Sequence, residues 1–168
     1  TTEPFVGEHD PVITLDASEE LRGIYHPRLT LEAERAYTGY VIVKAVGDVN
    51  RIEGALQWGD ARTDEAVAVF DAPGRAFQKY PFVLTSGANN TGRLVLRFHG
   101  KGAVHMGAVS LMPSDNVDGF RKDVLALLRE IDAPIYRWPG GNFVSGYDWR
   151  DGVGDRDKRP PRKNPAWT

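Results

Sequence analysis

From about residue 13 to residue 112, apolar positions fall in short runs divided by turn-forming clusters. A β-branched run at 40–46 is followed by apolar segments at 52, 55–58, 66–70, 80–85, 94–98 and 104–111. Between them stand Gly47-Asp48, Gly59-Asp60, Pro73-Gly74, Gly87-Ala88-Asn89-Asn90 and Gly100-Lys101-Gly102, residues that turn a chain at little conformational cost. Many short strands at this spacing predict a β-sandwich or barrel rather than βαβ units. Within 93–98 the alternation places Leu94, Leu96 and Phe98 on one face. Arg93, Val95 and Arg97 point the other way, with Val95 the apolar exception.

At Pro113 the period changes. Ser114 or Asp115 can cap a helix, because its side-chain oxygen accepts an unpaired N–H of the first turn. Phe120, Val124, Leu127, Leu128 and Ile131 then recur at helical spacing, while Arg121, Lys122 and Arg129 fall elsewhere. Gly119 weakens the first turn, and Ala133-Pro134 ends the helix. Residues 135–138 read as a short buried strand, followed by a long loop that resolves into no further element. Helix, buried strand and loop together make a piece of an α/β unit. The apolar stripe from Phe120 to Ile131, with Trp138, lacks neighbours in this chain and is expected to stay partly exposed. The loop beyond 140 has no opposing wall, so weak order is expected there.

At 168 residues the chain is long enough for one domain and part of another. A net charge of −2 and a pI near 6.1 argue against nucleic acid or an anionic membrane surface as the main partner. The stretch 156–163 is locally basic, but Asp155 and Asp157 interrupt it, which suits a solvated loop. Cysteine is absent, so disulfides, thiolate metal sites and cysteine nucleophiles are excluded, and any compartment is compatible. No apolar run of about 18 residues exists to span a membrane as a helix. His9, His26, His99 and His105 show no zinc-ligand spacing, so no metal is expected. Asn89-Asn90-Thr91 is a glycosylation sequon, but it sits where turn chemistry explains it equally well.

Chemistry concentrates after residue 136, at Arg137-Trp138-Pro139-Gly140-Gly141-Asn142-Phe143. Gly140-Gly141 permits close approach of a ligand that a Cβ would block, and Asn142 offers both a donor and an acceptor, as a sugar hydroxyl does. A tight turn with Asn142 bonding its own backbone is the alternative. Arg137 either meets a buried carboxylate or reaches solvent at a sheet end. Trp149 and Trp167, and in the β region Trp58 and Tyr80, can stack on sugar faces or pack a core. Gly-x-Ser-x-Gly and phosphate-binding glycine loops are missing.

These motifs resemble the α-L-arabinofuranosidases of glycoside hydrolase family 51. The resemblance runs from Arg137 through Asp151-Gly152-Val153-Gly154 and Lys158-Arg159-Pro160-Pro161-Arg162 to Pro165-Ala166-Trp167. Upstream, Gly107-Ala108-Val109-Ser110-Leu111-Met112-Pro113 looks like the junction in members whose barrel carries an inserted β-sandwich, and Pro4-Phe5-Val6-Gly7-Glu8-His9 looks like the entry to it. Residues 37–111 are similar to a family 4-type carbohydrate-binding sandwich. The implied architecture is a linker from the upstream barrel part (1–12), a jelly-roll β-sandwich (13–112), and part of a (β/α)8 catalytic barrel (113–168).

By the same resemblance, Asn142 hydrogen-bonds the arabinofuranose that is cleaved, and Arg137 supports the nucleophilic carboxylate. Trp167 contacts the leaving-group side, while Gly140, Gly141 and Phe143 shape the pocket. The implied activity is retaining, exo-acting hydrolysis of terminal α-L-arabinofuranosyl residues, without cofactor, on arabinose-containing polysaccharides and oligosaccharides. Both catalytic carboxylates would come from later barrel strands, so none is assigned here and the chain alone is expected to be inactive. Two other readings stand beside it: a non-catalytic sugar-binding sandwich using Trp58 and Tyr80, or a sandwich that only braces the barrel.

Overall fold

The computed structural model describes residues 3–16, 22–137 and 140–162. Among the described residues six strands are formed: β1 (Val12–Leu15), β2 (Arg22–Leu31), β3 (Ala36–Gln57), β4 (Glu65–Asp71), β5 (Gln78–Thr85) and β6 (Asn90–Pro113). The long strands β3 and β6 pair antiparallel from Tyr37↔Pro113 to Gln57↔Arg93. The shorter strands then divide between their two halves. β2 joins β6 at 90–98 and β4 joins β3 at 51–57, giving a first layer in the order β2-β6-β3-β4. β1 joins β6 at 102–105 and β5 joins β3 at 36–43, giving a second layer, β1-β6-β3-β5.

The two layers are one sheet folded over, because the β3–β6 ribbon bends instead of breaking. Gly47-Asp48 and Gly100-Lys101-Gly102, expected to be turns between strands, are instead bends inside β3 and β6. Gly47, Gly100 and Gly102 have φ of +99°, +112° and +140°, a region that side-chain-bearing residues rarely enter. A Cβ on Gly100 would lie 2.1 Å from the Asp48 carbonyl oxygen across the ribbon. Local sequence marks both bends, but only the cross-strand partner makes them continuous with the ladder.

The layers close on one another through side chains from both halves of the ribbon. Val41, Val43, Val104 and Met106 from the second layer meet Ile52, Leu96 and Phe98 from the first. A second cluster joins Leu31, Leu56 and Leu94 to Tyr37, Phe82 and Leu84. The alternation read at 93–98 is borne out: Leu94, Leu96 and Phe98 are buried, and Arg93, Val95 and Arg97 lie on the outer face. Residues 41–45 are buried at every position, so something also covers the outer face of the second layer there. At Lys44 the cover is the Glu3 carbonyl, to which its ammonium donates at 2.6 Å, and the Phe77 ring 4.3 Å away. The edge strand β2 carries Pro27, with a register shift between Pro27 and Leu29 and Arg28 at φ +63°. Proline is tolerated there because an edge strand need not donate on both sides.

After β6 the expected helix forms, but later than read. It spans Lys122–Ile131 (α1), with Arg121 at the N-cap and no side-chain cap. Ser114 and Asp115 do not cap it. The Ser114 N–H continues the ladder to the Ala36 carbonyl, and Asp115 pairs with Arg35 at 3.2 Å. Asp118 (φ +50°) and Gly119 (φ +88°) are left-handed, so no helix can pass through them. The C-terminus lies where expected, at Asp132 with φ +49°. As anticipated, the stripe stays exposed among the described residues: no residue of α1 is buried, and Phe120, Leu127 and Ile131 are 57–65% exposed.

The buried strand read at 135–138 does not form over 135–137. Ile135 is 80% exposed, and the Tyr136 hydroxyl folds back to donate to the Leu128 carbonyl. A strand needs a neighbour to pair its backbone, and none lies alongside among the described residues. Trp138 lies outside them.

Candidate functional site

Past α1 the described residues form three short segments of 3-10 helix, at Gly141–Gly146, Trp149–Gly152 and Arg156–Lys158. Gly141 opens the first with φ +65° and nothing within 4 Å of where a Cβ would sit, so open space lies beside this backbone. Gly140, Gly141 and Asn142 are exposed. Phe143 is half-buried, its ring 5.0 Å from that of Tyr147 and tilted by 32°. That contact stiffens the turn presenting Asn142. Arg137 is exposed, and its guanidinium lies 4.0 Å from a Cβ built on Gly140. The structure thus gathers Arg137, Gly140, Gly141, Asn142 and Phe143 at one corner. Trp167 lies outside the described residues, and Trp149 is 70% exposed.

Each loop carboxylate with a resolved shift already has cationic partners. Asp148 accepts two bonds from the Arg150 guanidinium, at 2.9 and 2.8 Å. Those bonds first, then the Arg150 N–H, hold its carboxyl below the usual value. Asp151 takes Arg162 at 2.8 Å. For Asp157, burial works to raise the pKa, yet the hydrogen bonds from Tyr40 and Lys79 and the charges of Lys79 and Arg156 outweigh it. Its carboxyl is therefore held low as well. Asp148 and Asp157 are thus held as ion-pair partners, the opposite of a carboxylic acid kept protonated for proton donation.

The last 3-10 turn docks on the sandwich. Tyr40 donates its hydroxyl to Asp157 at 2.5 Å, and the Lys79 ammonium reaches the same carboxylate at 3.1 Å. Lys79 also lies 3.5 Å above the Tyr40 ring centre. Lys158 donates to the Phe5 carbonyl at 2.8 Å and sits 3.6 Å over its ring. Phe5 in turn meets Phe77 edge-on at 5.1 Å. The expectation that the loop lacks an opposing wall therefore fails for 156–158, because the outer face of the second layer supplies one.

On the outer face of the first layer, cross-strand register aligns Tyr25, Val95, Ala55 and Val67 in an apolar row, of which Ala55 is fully buried. Polar rows flank it: Arg93, Gln57 and Glu65 on one side, Arg97 and Glu53 on the other. Arg97 bonds Glu65 at 2.5 Å and Arg93 bonds Gln57 at 2.6 Å. The Arg97 hydrogen bond is the main cause holding the Glu65 carboxyl low. One end of this face opens into a groove of about 430 Å³ lined by Tyr25, Gln57, Trp58, Asp60, Asn90 and Arg93. Trp58 lines it while half-buried against the second core cluster, with Gly87 close over its indole. Tyr80 lies elsewhere, packed on Phe70 at 5.6 Å, its hydroxyl donated to Gln78. Sequence reasoning missed Tyr25, Gln57 and Asn90. The signal available was Val95, the apolar residue on an otherwise charged face.

No protein-family model matches this chain. Over 55 residues, a third of its length, the chain is 60% identical to an exo-α-(1→6)-L-arabinofuranosidase of Bifidobacterium longum. It is 56% identical over 55 residues to an intracellular exo-α-(1→5)-L-arabinofuranosidase of Bacillus subtilis. The chain covers 10% and 11% of those proteins, about a tenth of the relatives it matches. An arabinose-bound family 51 α-L-arabinofuranosidase shares its fold, with a TM-score of 0.68 over 96% of this chain and 28% of that one, at 13% identity. A third of the chain is thus homologous to the α-L-arabinofuranosidases, and nearly all of it is folded like part of a family 51 member, in line with what the Arg137–Trp167 motifs imply.

Proposed function

We propose that this chain is part of a retaining, exo-acting α-L-arabinofuranosidase that releases terminal non-reducing α-L-arabinofuranosyl residues from arabinose-containing polysaccharides and oligosaccharides. The 60% identity to an exo-acting arabinofuranosidase carries this reading. The open corner at Gly140, Gly141 and Asn142 supports it, since an exposed amide beside unshielded backbone suits a sugar hydroxyl. Arg137 would support the nucleophile, and Trp167 the leaving-group side. Retention requires two carboxyl groups about 5 Å apart, one of them protonated at the start. Asp148 and Asp157 are held ionised by their partners, so the catalytic pair is assigned to residues outside this chain. In this reading residues 1–12 lead from the barrel, 13–112 form the inserted sandwich and 113–168 re-enter the barrel. No cofactor takes part.

The test is an aryl α-L-arabinofuranoside assay on the chain alone and on a polypeptide extended along its reading frame. The chain alone is expected to give no turnover. The extended protein is expected to be active, and Asn142→Ala to lower its kcat/KM about 100-fold, the loss of a hydrogen bond made to the reacting sugar. Turnover by the chain alone, abolished by a point change within it, would overturn the reading.

A second reading gives the sandwich a sugar-binding role of its own, favoured by the groove in which Tyr25 and Trp58 stand beside Gln57, Asn90 and Arg93. Tyr25, at 65% exposed, is the flat surface a pyranose or furanose face would cover, with Trp58 at the groove end. Calorimetric titration with arabinoxylan and arabino-oligosaccharides is expected to give saturable binding that Tyr25→Ala removes and Tyr80→Phe leaves intact. Absence of heat with the unmodified chain would leave the sandwich a brace.

A further inference from the structure

We propose that Asp157 is a positioning residue: held by Tyr40 and Lys79 on the second layer of the sandwich, it fixes the loop that presents Asn142. The inference extends the arabinofuranosidase reading by naming what holds that loop, and its main test is independent of any sugar.

The contacts that carry it are long-range and concentrated. Tyr40 and Asp157 are 117 residues apart in sequence, and Phe5 and Lys158 are 153 apart. Three successive residues all reach the same face: Arg156 donates to the Tyr40 hydroxyl at 3.3 Å, Asp157 accepts from Tyr40 and Lys79, and Lys158 bonds Phe5. The Asp157 carboxylate is only 12% exposed, so solvent competes weakly for these charge-assisted bonds. Pro161 extends the contact, lying 2.8 Å from where a Cβ on Gly7 would be. Lys79, which reaches Asp157, pairs across the ladder with Ile42, so the docked turn sits beside an outward-facing residue that is only 6% exposed.

Between the latch and Asn142 the loop is tied to itself. Arg162, just past the latch, binds Asp151 at 2.8 Å. The Tyr147 hydroxyl lies 2.2 Å from a Cβ built on Gly152, and Tyr147 stacks on Phe143 beside Asn142. A shift at Asp157 therefore has a contiguous route through Asp151 and Tyr147 to the amide. A solvated basic loop, the reading that sequence favours for 156–163, has no such consequence.

Hydrogen exchange of the 168-residue chain tests this. Asp157→Asn and, separately, Tyr40→Phe are expected to speed exchange of amides in 141–152 by about tenfold while those at 52–56 and 94–98 keep their protection, because local opening is read separately from global unfolding. Unchanged exchange in 141–152 would overturn the proposal. So would a rise of equal size throughout the sandwich with both variants, since the contact would then serve only global stability. In an extended, active protein, Asp157→Asn is expected to raise KM about tenfold with kcat within about twofold, and Asp157→Glu to restore part of it. A pure fall in kcat with unchanged KM would count against the positioning role. Failure of the exchange test refutes the latch and leaves the enzyme assignment standing. An inactive extended protein with the expected exchange pattern does the reverse.

Discussion

Phe98→Ala is expected to lower the unfolding free energy by about 3–5 kcal/mol, the range for deleting a fully buried aromatic ring. The phenyl ring is 2% exposed and lies in the cluster that joins both layers. Its partners across the first layer are Arg22 and Ile52, and the Gly100 bend follows within two residues. A cavity there cannot be closed by sliding one layer, because the two layers share β3 and β6. Domains of this size hold only about 5–15 kcal/mol in total, so the variant is expected to be close to unfolding at 25 °C. Urea denaturation followed by tryptophan fluorescence reads this as a lower midpoint at similar slope. Val95→Ala, on the outer face of the same strand, is the control. If both variants shifted the midpoint equally, the inward-outward assignment at 93–98 would be wrong.

Gly100→Ala is expected to cost about 3 kcal/mol or more, from left-handed strain together with a backbone clash. The strain follows from φ +112°, and the clash from the 2.1 Å approach to the Asp48 oxygen. Relief would require β3 and β6 to separate where they fold over. Gly74→Ala is the comparison, since Gly74 is not left-handed and its nearest neighbour is a flexible glutamine end at 3.4 Å. Thermal melts are expected to place Gly100→Ala at least about 6 °C below Gly74→Ala, taking about 2–4 °C per kcal/mol for a chain of this length. Equal melting temperatures would show that the ribbon tolerates a side chain at its bend.

These two positions also mark how far the sequence could be read. The Leu94, Leu96, Phe98 alternation gives the inward face directly, because side-chain direction in a strand has period two and needs no partner to be inferred. Gly100-Lys101-Gly102 reads locally as a turn, and its two glycines do take positive φ. Whether such residues end a strand or bend it depends on pairing, here to 47–49 of β3. The same division holds after Pro113. The stripe from Phe120 to Ile131 specifies a helix, while its start was misplaced because Asn116, Asp118 and Gly119 form a turn that uses their polar groups locally. The 135–137 strand failed for want of a neighbour.

At the candidate site, Gly140-Gly141-Asn142 was legible as an open corner because glycine and amide chemistry is local. The role of Asp157 was not, since an aspartate among arginines and lysines reads as a solvated loop until Tyr40 and Lys79 are seen against it. Periodicity and backbone-permissive residues act over a few positions, and so the sequence by itself determined the β-rich region, the inward face of 94–98, the body of the helix and the exposed amide turn. The fold-over of β3 and β6, the burial of Ile42 and Lys44 from outside, and the docking of 156–158 were decided by tertiary structure. Each depends on partners tens of residues or more away, whose meeting no local pattern encodes.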